Sequence, residues 1–359
     1  MDKPHSPNIL LTGGGTLGPV TPLLGLVEAW KQADANTKFS WIGTPTGPER
    51  VLVERLRIPF FELDAPKFDR TRFWTWPLIP FKAISSLIKS WNYLEELQPD
   101  LVFSAGGYVS VPLIWLAAVK KIPTWIHQLD VEPLLANKLM APLATKISIT
   151  WEQSMKDWPL SKTVLVGGLL REGIRRGNRE WFAREKGLDV TRPTLLVIGG
   201  GTGAQSINSA MEVIADDLLR EMNVIHLTGV GKMSEILTKK GKNYQAFEML
   251  DADLPHAYAV ADLVVARAGM GTITELVALG KPMILLPIPN SGQIANADVL
   301  RAQGAAQVLL SPTPQILGQA IKHLMRDVSA RQKLSMLARR AFQTNAASAI
   351  VREAATWVK

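Results

Sequence analysis

The sequence predicts an α/β protein made of two Rossmann-like domains with parallel sheets that face each other across a cleft. The chain has 359 residues, enough for two domains that each bury a core. Short apolar runs alternate with helical patterns, which is typical of parallel strands covered by helices on both faces. This alternation occurs in two series, and each series contains a strand that leads into a glycine-rich loop.

Buried-looking apolar runs mark the predicted strands. We expect the strands of the first series at 8–14, 39–44, 101–107, 123–128 and 146–150. We expect those of the second series at 163–168, 194–201, 223–229, 244–250, 262–269 and 282–289. Helical patterns follow three of these strands, at 21–30, 205–219 and 272–279.

A stretch rich in proline, glycine and charge, 158–177, indicates the boundary between the domains. We place the N-terminal domain at 1–164 and the C-terminal domain at 165–341. The last segment, 342–359, reads as helix, and we expect it to pack back onto the first domain.

Composition narrows the class of protein. Apolar residues make up 47% and charged residues 20%, as in a globular chain. The absence of cysteine excludes disulfides and thiolate metal sites, and it is compatible with a reducing compartment. No secretory signal is visible, and the longest apolar stretch, 109–119, is shorter than the roughly 20 residues that a membrane span needs. We expect a cytoplasmic protein that at most lies on a membrane.

The charge balance favours an anionic ligand. Lys and Arg number 40 against 32 Asp and Glu, which gives a net charge of +8. Such an excess suits a nucleotide, a phosphorylated substrate, anionic lipid or nucleic acid, although a merely basic surface is the alternative. No recognition motif or aromatic RNA-binding signature accompanies the charge, so nucleic acid is not expected.

The first glycine-rich loop, "GGGTLG", contains the dinucleotide spacing at Gly13, Gly15 and Gly18. That fingerprint also requires an acidic residue at the end of the second strand, and Glu49 comes too late for it. The loop therefore favours binding of an anion or acceptor over a nicotinamide, which speaks against a dehydrogenase. A tight turn that serves packing alone is the alternative.

The second half of the chain carries two further loops. "GGGTGAQSIN", 199–208, leads into a helix whose N-terminal amides can bind phosphate. In "ARAGMGTITELVALGKP", 266–282, Thr272 and Glu275 have the spacing of a capping box. The functional alternative is that the carboxylate of Glu275 binds both hydroxyls of a ribose.

Several collinear motifs resemble one family, from Ile9 to about Ala306. They are "GGTLGPVTP", "SAGGYVSVP", "IHQLDVEPLLANKLMAPLAT", "GGGTGAQSIN", "ARAGMGTITELVALGKPMILLPIP" and "QIANA". In this order they resemble the MurG-like glycosyltransferases of family 28. That resemblance implies the GT-B fold. We expect neither a cofactor nor a bound metal, because helix N-termini after Gly201 and Gly271 can stabilise a leaving diphosphate without one. The resemblance also implies transfer of N-acetylglucosamine from its UDP donor onto lipid I in peptidoglycan synthesis, a step of cell-wall biogenesis connected with cell division and cell shape.

The resemblance also implies site residues. Glu275 would hold the ribose of UDP. The other implied donor-side residues, at the diphosphate or the sugar, are Gly201, Thr202, Asn208, Met270, Gly271, Thr272, Gln293 and Asn296. The implied residues of the acceptor and diphosphate loops are Gly14, Gly15, Thr16, Gly18, Gly106, Gly107, Tyr108 and Asn137.

The chain departs from the family mainly on the acceptor side. Pro19 stands where the family has histidine, and "HQLD", 127–130, replaces H-E-x-N. On the donor side, Gly201 and Thr202 replace serine and glutamine. The candidates for the catalytic base are Asp130 and His127, with Glu132 as a further possibility. A buried structural role for His127 and an N-cap role for Asp130 are the alternatives.

The segment 67–91 interleaves basic and aromatic residues, including the run "WTWP". This pattern favours an anionic membrane surface, with a core-facing helix as the alternative. Together with the resemblance it predicts an inverting UDP-N-acetylglucosamine transferase at the inner face of the cell membrane, whose acceptor is a polyprenyl-diphosphate sugar. Two alternatives stay open. One is a relative that glycosylates another lipid or a metabolite, and the other is a homologue that binds the donor without turnover.

Overall fold

A computed structural model describes residues 6–67, 79–200, 203–238 and 240–358. The chain divides into two compact units. The first contains the residues up to Arg171 together with those from Asn345 onward, and the second is Glu172–Thr344. The division lies beyond the expected boundary between 164 and 165.

The first unit contains a seven-stranded sheet. Its strands are β1 (Asn8–Thr12), β2 (Lys38–Gly43), β3 (Phe60–Glu62), β4 (Leu101–Ser104), β5 (Thr124–Gln128), β6 (Lys146–Ile149) and β7 (Thr163–Leu165). The helices between these strands are α1 (Val20–Ala33), α2 (Glu49–Arg55), α3 (Ile79–Leu97), α4 (Ser110–Val119) and α5 (Leu135–Met140), with 3₁₀ turns at Glu152–Asp157 and Leu160–Lys162. All neighbouring strands are parallel, in the order β3-β2-β1-β4-β5-β6-β7.

The second unit contains a six-stranded parallel sheet. Its strands are β8 (Thr194–Ile198), β9 (Asn223–Leu227), β10 (Tyr244–Phe247), β11 (Leu263–Ala266), β12 (Met283–Leu285) and β13 (Gln307–Val308). Its helices are α6 (Arg179–Glu185), α7 (Gln205–Leu218), α8 (Glu235–Thr238), α9 (Leu254–Val260), α10 (Met270–Leu279), α11 (Gln293–Ala302), α12 (Pro314–Arg326) and α13 (Val328–Ala338), with a 3₁₀ turn at Glu172–Arg175. The order is β10-β9-β8-β11-β12-β13. Parallel sheets with interleaved helices in both units confirm the predicted α/β class.

The last helix, α14 (Ala346–Ala354), belongs to the first unit and contacts α1. Beyond it, the ring centroid of Trp357 lies 5.1 Å from that of Trp125 on β5. Lys146, at the start of β6, forms an ion pair with Glu353 at 2.6 Å. The end of the chain thus helps to cover the first sheet.

Strand order places a topological switch point in each unit. The order reverses between β1 and β4 in the first sheet, and between β8 and β11 in the second. Ligands of open α/β sheets bind beyond the carboxyl ends of the strands at such a point. The glycine-rich segments 13–18 and 105–107 follow β1 and β4, and the described glycines of 199–200 and 203 follow β8, as 267–271 follows β11. All four therefore lie at the expected binding edge of their own sheet.

One strand was assigned to the wrong series. The run 163–168 was expected to open the second series, but β7 pairs with β6 in the first sheet, with Ile147 opposite Thr163. The short strands β3 and β13 were not predicted, because three and two residues are too few to show a periodic pattern.

Candidate functional site

The first glycine-rich loop connects β1 to α1. Thr16 and Gly18 are exposed on it, whereas Gly14 is buried and Gly15 adopts a φ of 82°. The carboxyl group of Glu49, the first residue of α2, lies beneath the loop with no exposed surface. Its oxygens accept the Gly15 N–H at 3.2 and 3.3 Å. The loop is therefore held from below by a buried acidic side chain.

Thr44 fixes the same carboxyl group. Its backbone N–H and its hydroxyl donate to Glu49 Oε1 at 2.7 and 2.5 Å. A Cβ atom on Gly14 would lie 2.1 Å from Glu49 Oε1, so the glycine is required for this close approach. Because Glu49 binds the protein's own backbone, it does not take the place of the acidic residue of a dinucleotide fingerprint.

The second glycine-rich loop lies beside the first because β4 is adjacent to β1. Gly106 and Gly107 adopt φ values of 111° and 100°, which favour glycine. A Cβ atom on Gly107 would lie 3.1 Å from Gly14 O, and one on Gly15 would lie 3.0 Å from the Tyr108 ring. The structure thus brings both predicted acceptor loops into direct contact.

Gln128 shapes the loop that carries Asp130. Its side-chain Nε2 donates to Asp130 O at 2.7 Å and to Glu132 O at 3.1 Å, while its Oε1 accepts from Asn137 Nδ2 at 2.6 Å. Asn137 in turn lies against Gly106. Asp130 is partly exposed, and it does not cap α5, whose N-cap residue is Leu134. The N-cap alternative for Asp130 is therefore wrong.

His127 lies inside the first sheet. It is fully buried on β5, with Nδ1 2.9 Å from Ser148 Oγ and Nε2 3.3 Å from Thr150 Oγ1. Burial lowers the pKa of His127 to about 3, so its ring is neutral at pH 7. The ring of His127 is neutral, has no exposed surface and lies between two hydroxyl groups. These properties agree with the alternative that His127 has a buried structural role.

Among the described residues of the donor-side loop after β8, Gly200 and Gly203 adopt positive φ values of 86° and 71°. The predicted phosphate residues Gly201 and Thr202 fall outside the described residues. Asn208, one turn into α7, is buried. Its Nδ2 donates to Thr228 O at 3.0 Å, so its amide fixes the loop that follows β9.

A buried polar chain continues from Asn208. Its Oδ1 lies 3.1 Å from His226 Nε2, and His226 Nδ1 lies 2.7 Å from the Tyr244 hydroxyl. Burial lowers the pKa of His226 to about 4, so this ring is also neutral at pH 7. The chain ties α7 to the two strands at one side of the sheet.

Helix α10 begins at Met270, with Gly269 as its N-cap residue and no side-chain cap. The capping-box alternative is therefore wrong, because Thr272 already lies inside the helix. Glu275 is 6% exposed, and its Oε2 accepts the Tyr258 hydroxyl at 2.8 Å. Sequence reasoning missed Tyr258, which lies on α9 and is adjacent to Glu275 only in the fold.

Gln293 and Asn296 lie at the start of α11. Gln293 Oε1 accepts Ile288 N–H at 3.2 Å, and its Nε2 lies 3.7 Å from the position of a Cβ atom on Gly269. Asn296 has no exposed surface, and its Nδ2 donates to Ala268 O at 3.2 Å. Both amides thus lie beside the turn that opens α10.

Two cations at this edge were not predicted as site residues. Arg267, directly after β11, donates to Leu286 O at 2.8 Å and to Ser206 Oγ at 2.6 Å. Lys232, after β9, donates from Nζ to Gly203 O at 3.2 Å. In the sequence, both residues come shortly after a predicted strand. Because the carboxyl ends of parallel strands lie at one edge of a sheet, this position was the signal that could have identified them.

Both units match models of known protein families. The glycosyltransferase family 28 N-terminal domain matches residues 9–149, and the family 28 C-terminal domain matches residues 194–352. Curated relatives include proteins of Geobacillus kaustophilus and Lachnospira eligens. The first is 35% identical over 332 residues, covering 90% of this chain and 92% of the relative. The second is 36% identical over 305 residues, covering 84% and 85%.

Both relatives are named UDP-N-acetylglucosamine--N-acetylmuramyl-(pentapeptide) pyrophosphoryl-undecaprenol N-acetylglucosamine transferase. Among solved structures, MurG of Acinetobacter baumannii superposes with a TM-score of 0.74 at 24% identity, covering 98% of this chain and 99% of that one. A UDP-GlcNAc 2-epimerase from Neisseria meningitidis superposes with a TM-score of 0.71 at 13% identity, covering 97% and 99%. The structural matches support a GT-B-like fold, which both enzymes share.

Proposed function

The chain belongs to glycosyltransferase family 28, and we propose that it transfers N-acetylglucosamine from UDP-N-acetylglucosamine to lipid I. Lipid I is undecaprenyl-diphosphate-linked N-acetylmuramyl-pentapeptide, and the product is lipid II of peptidoglycan synthesis. The names of the curated relatives support this substrate pair. The observation that carries the proposal is Glu275, a nearly buried carboxyl group at the switch point of the second sheet, oriented by Tyr258.

We assign the donor to the carboxyl edge of the second sheet. A carboxylate can accept two hydrogen bonds from neighbouring ribose hydroxyls, and Glu275 is held for that purpose by Tyr258. Met270, Gly271 and Thr272, in the first turn of α10, supply backbone N–H groups for the diphosphate or the sugar. We assign to the side-chain amide of Gln293 the hydrogen bonds to the sugar hydroxyls. The contacts of Asn208 and Asn296 support a positioning role for these two amides.

Positive charge at this edge suits the leaving group. The reaction forms a bond from the acceptor oxygen to the anomeric carbon and breaks the bond from that carbon to the diphosphate oxygen. Negative charge grows on the departing UDP, and fixed N–H groups and cations stabilise it. The N-terminus of α10, Arg267 and Lys232 provide these groups in the proposed site.

We assign the base to Asp130. The acceptor hydroxyl must lose its proton as the new bond forms, with inversion at the anomeric carbon. Asp130 is partly exposed on a loop shaped by Gln128, next to the glycine-rich acceptor loops. His127 is buried on β5, the strand that precedes this loop. The first glycine-rich loop has Pro19 where the family has histidine, so it does not supply an imidazole.

We also propose that the protein binds the inner face of the cell membrane through α3. Phe81, Ile84 and Ile88 of this helix are 73%, 59% and 59% exposed and line a shallow depression of about 430 Å³ together with Lys89. Residues 68–78 of the predicted membrane segment, with the "WTWP" run, fall outside the described residues. Apolar side chains flanked by lysine suit an anionic interface. No helix in the described part of the chain is both long and apolar enough to span a bilayer.

A competition panel tests the assignment of the donor. Binding of UDP-N-acetylglucosamine is measured by calorimetry in competition with UDP-glucose, UDP-galactose, UDP-N-acetylgalactosamine and TDP-glucose. We expect UDP-N-acetylglucosamine to bind at least tenfold more tightly than the others, because the site must recognise uracil, ribose and the acetamido sugar together. Equal binding of UDP-glucose would contradict the substrate.

A further inference from the structure

A depression of about 640 Å³ lies at the amino-terminal edge of the second sheet. It is lined by Asp262, which precedes β11, by Lys281, which precedes β12, and by residues of α13. In a parallel sheet the residues that precede the strands lie at the edge opposite the ligand-binding loops. The depression is therefore separate from the proposed donor site, and the inference drawn from it does not depend on that site.

Cations dominate the lining of this depression. They are Arg179, Lys281, Arg331, Arg339 and Arg340. The acidic lining residue is Asp262, which pairs with Arg179 at 3.1 Å and accepts the backbone N–H of Thr194 at 2.8 Å. Among the described residues, no acidic side chain lies within 4 Å of the other four cationic groups.

Lys281 adds positive charge to the lining of the depression. Its Nζ donates to Ala261 O at 2.8 Å. Burial lowers the pKa of Lys281 to about 8; Asp262 acts in the opposite direction, and the nearby Arg179 and Arg339 lower it further. The amine is still mostly protonated at pH 7, so it contributes positive charge to the lining of the depression.

The cations of the neighbouring helix α12 are compensated. Arg326 pairs with Glu221 at 2.6 Å, and Lys322 pairs with Asp217. These are ordinary surface ion pairs, and they contribute little binding capacity for an external anion. The cations of the depression differ in this respect from the cations of the adjoining helix α12.

We propose that this depression binds a ligand carrying two or more phosphate groups, with Arg339 and Arg340 as the principal contacts. Guanidinium groups bind phosphate oxygens in a bidentate manner, and both side chains are exposed at the end of α13. One carboxylate would neutralise a single cation, whereas a diphosphate matches several. Val328 and Met336, about half exposed on the same lining, offer apolar surface to the remainder of the ligand.

Calorimetric titration of the full chain with inorganic pyrophosphate tests the site. The variant Arg339→Ser/Arg340→Ser removes the two principal contacts and leaves the proposed donor site intact. The matched control, Arg184→Ser/Arg220→Ser, removes the same net charge from exposed positions of the same unit that do not line the depression. We expect pyrophosphate affinity to fall at least tenfold in the first variant and less than twofold in the control.

A second assay distinguishes a soluble phosphate from a lipid headgroup. Flotation with phosphatidylglycerol vesicles is measured for the same three proteins. A loss of pyrophosphate affinity specific to the Arg339/Arg340 variant supports a soluble ligand, and a specific loss of vesicle binding alone supports a lipid headgroup at this site. Unchanged binding in both assays, or an equal loss in the control, overturns the proposal. If the double variant does not fold, Arg340→Glu alone replaces it, with the same outcomes.

Discussion

The Tyr258 hydroxyl donates a 2.8 Å hydrogen bond to Glu275 Oε2, which joins α9 to α10 at the switch point of the second sheet. Both side chains are almost fully buried. Glu275 therefore does not reach into solvent from a helix end. It is held by a neighbouring element that also lines the interior of the unit.

Tyr258→Phe removes this hydrogen bond and leaves the ring. We expect KM for UDP-N-acetylglucosamine to rise about 3- to 10-fold, as one hydrogen bond is worth about 0.5–1.5 kcal/mol, while KM for lipid I is unchanged. Tyr93→Phe is the matched control, because it removes a hydroxyl that donates to Glu62 O at 3.0 Å in the first unit. A rise in both KM values for Tyr258→Phe would indicate general loosening of the fold instead.

Glu49→Gln perturbs the support of the first glycine-rich loop. The amide that replaces one oxygen presents a donor where the carboxyl group accepts from Gly15 N–H and Thr44. We expect KM for lipid I to rise about tenfold and the free energy of unfolding to fall by about 1–3 kcal/mol.

Glu54→Gln is the control for that variant, because Glu54 lies on the same helix, exposed, in a surface ion pair with Arg50 at 2.9 Å. Steady-state kinetics with each substrate varied in turn give the comparison. If Glu49→Gln raised KM for the donor alone, the carboxyl group would not serve the acceptor loop.

Replacement of Phe81, Ile84 and Ile88 by serine should weaken membrane binding. These side chains are already exposed, so stability should change little, whereas the apolar surface available to a bilayer is lost. We expect vesicle flotation with anionic lipid to fall several-fold and binding of UDP-N-acetylglucosamine to stay the same. Val213→Ser/Val230→Ser, at exposed apolar positions of the second unit, is the control. Equal flotation of the triple variant and the wild type would remove α3 from the membrane interface.

Acid should destabilise the fold through two buried histidines. Burial lowers the pKa of His127 to about 3 and of His226 to about 4, below the ordinary value of 6.5. The unfolded chain then binds more protons than the folded one below pH 6.5, so stability is full above that pH and is lost as the pH falls towards 4. Each histidine accounts for about 1–2 kcal/mol between pH 6.5 and pH 5.

Urea unfolding across that pH range measures this loss. His226→Gln should reduce the slope of the free energy of unfolding against pH, and His323→Gln, which removes an exposed histidine of α12, should leave it unchanged. An unchanged slope for His226→Gln would mean that the ring gains its proton in the folded protein.

The sequence-based predictions describe the sheets well and the side-chain contacts poorly. Central strands such as β4 and β11 are buried on both faces, so their continuous apolar runs are visible in the sequence. β7 was misplaced because an apolar run does not reveal which sheet it joins. Its pairing with β6 depends on tertiary contacts.

In the candidate site, too, the sequence predicted the backbone elements better than the side-chain contacts. Motif order located the four loops that lie at the switch points and made Glu275 a candidate donor-binding residue. The residues that hold these loops, Glu49 and Tyr258, come from other elements, at sequence distances of 34 from Gly15 and 17 from Glu275. A single sequence contains no local pattern for such contacts. The capping-box spacing of Thr272 and Glu275 gave a wrong prediction for a related reason. The turn at Gly269 starts the helix earlier, so Thr272 lies inside the helix and does not cap it.

Product analysis with lipid I and UDP-N-acetylglucosamine tests the central claim most directly. We predict that the lipid gains one N-acetylglucosamine unit for each UDP released. Asp130→Asn should lower kcat about 100-fold or more, because a general base contributes about 10²–10⁴. Glu275→Ala should lower kcat/KM about 100-fold, since hydrogen bonds to a charged group are worth about 1.5–3 kcal/mol. Tight binding of UDP-N-acetylglucosamine without any lipid-linked product, or wild-type turnover by Asp130→Asn, would contradict the account.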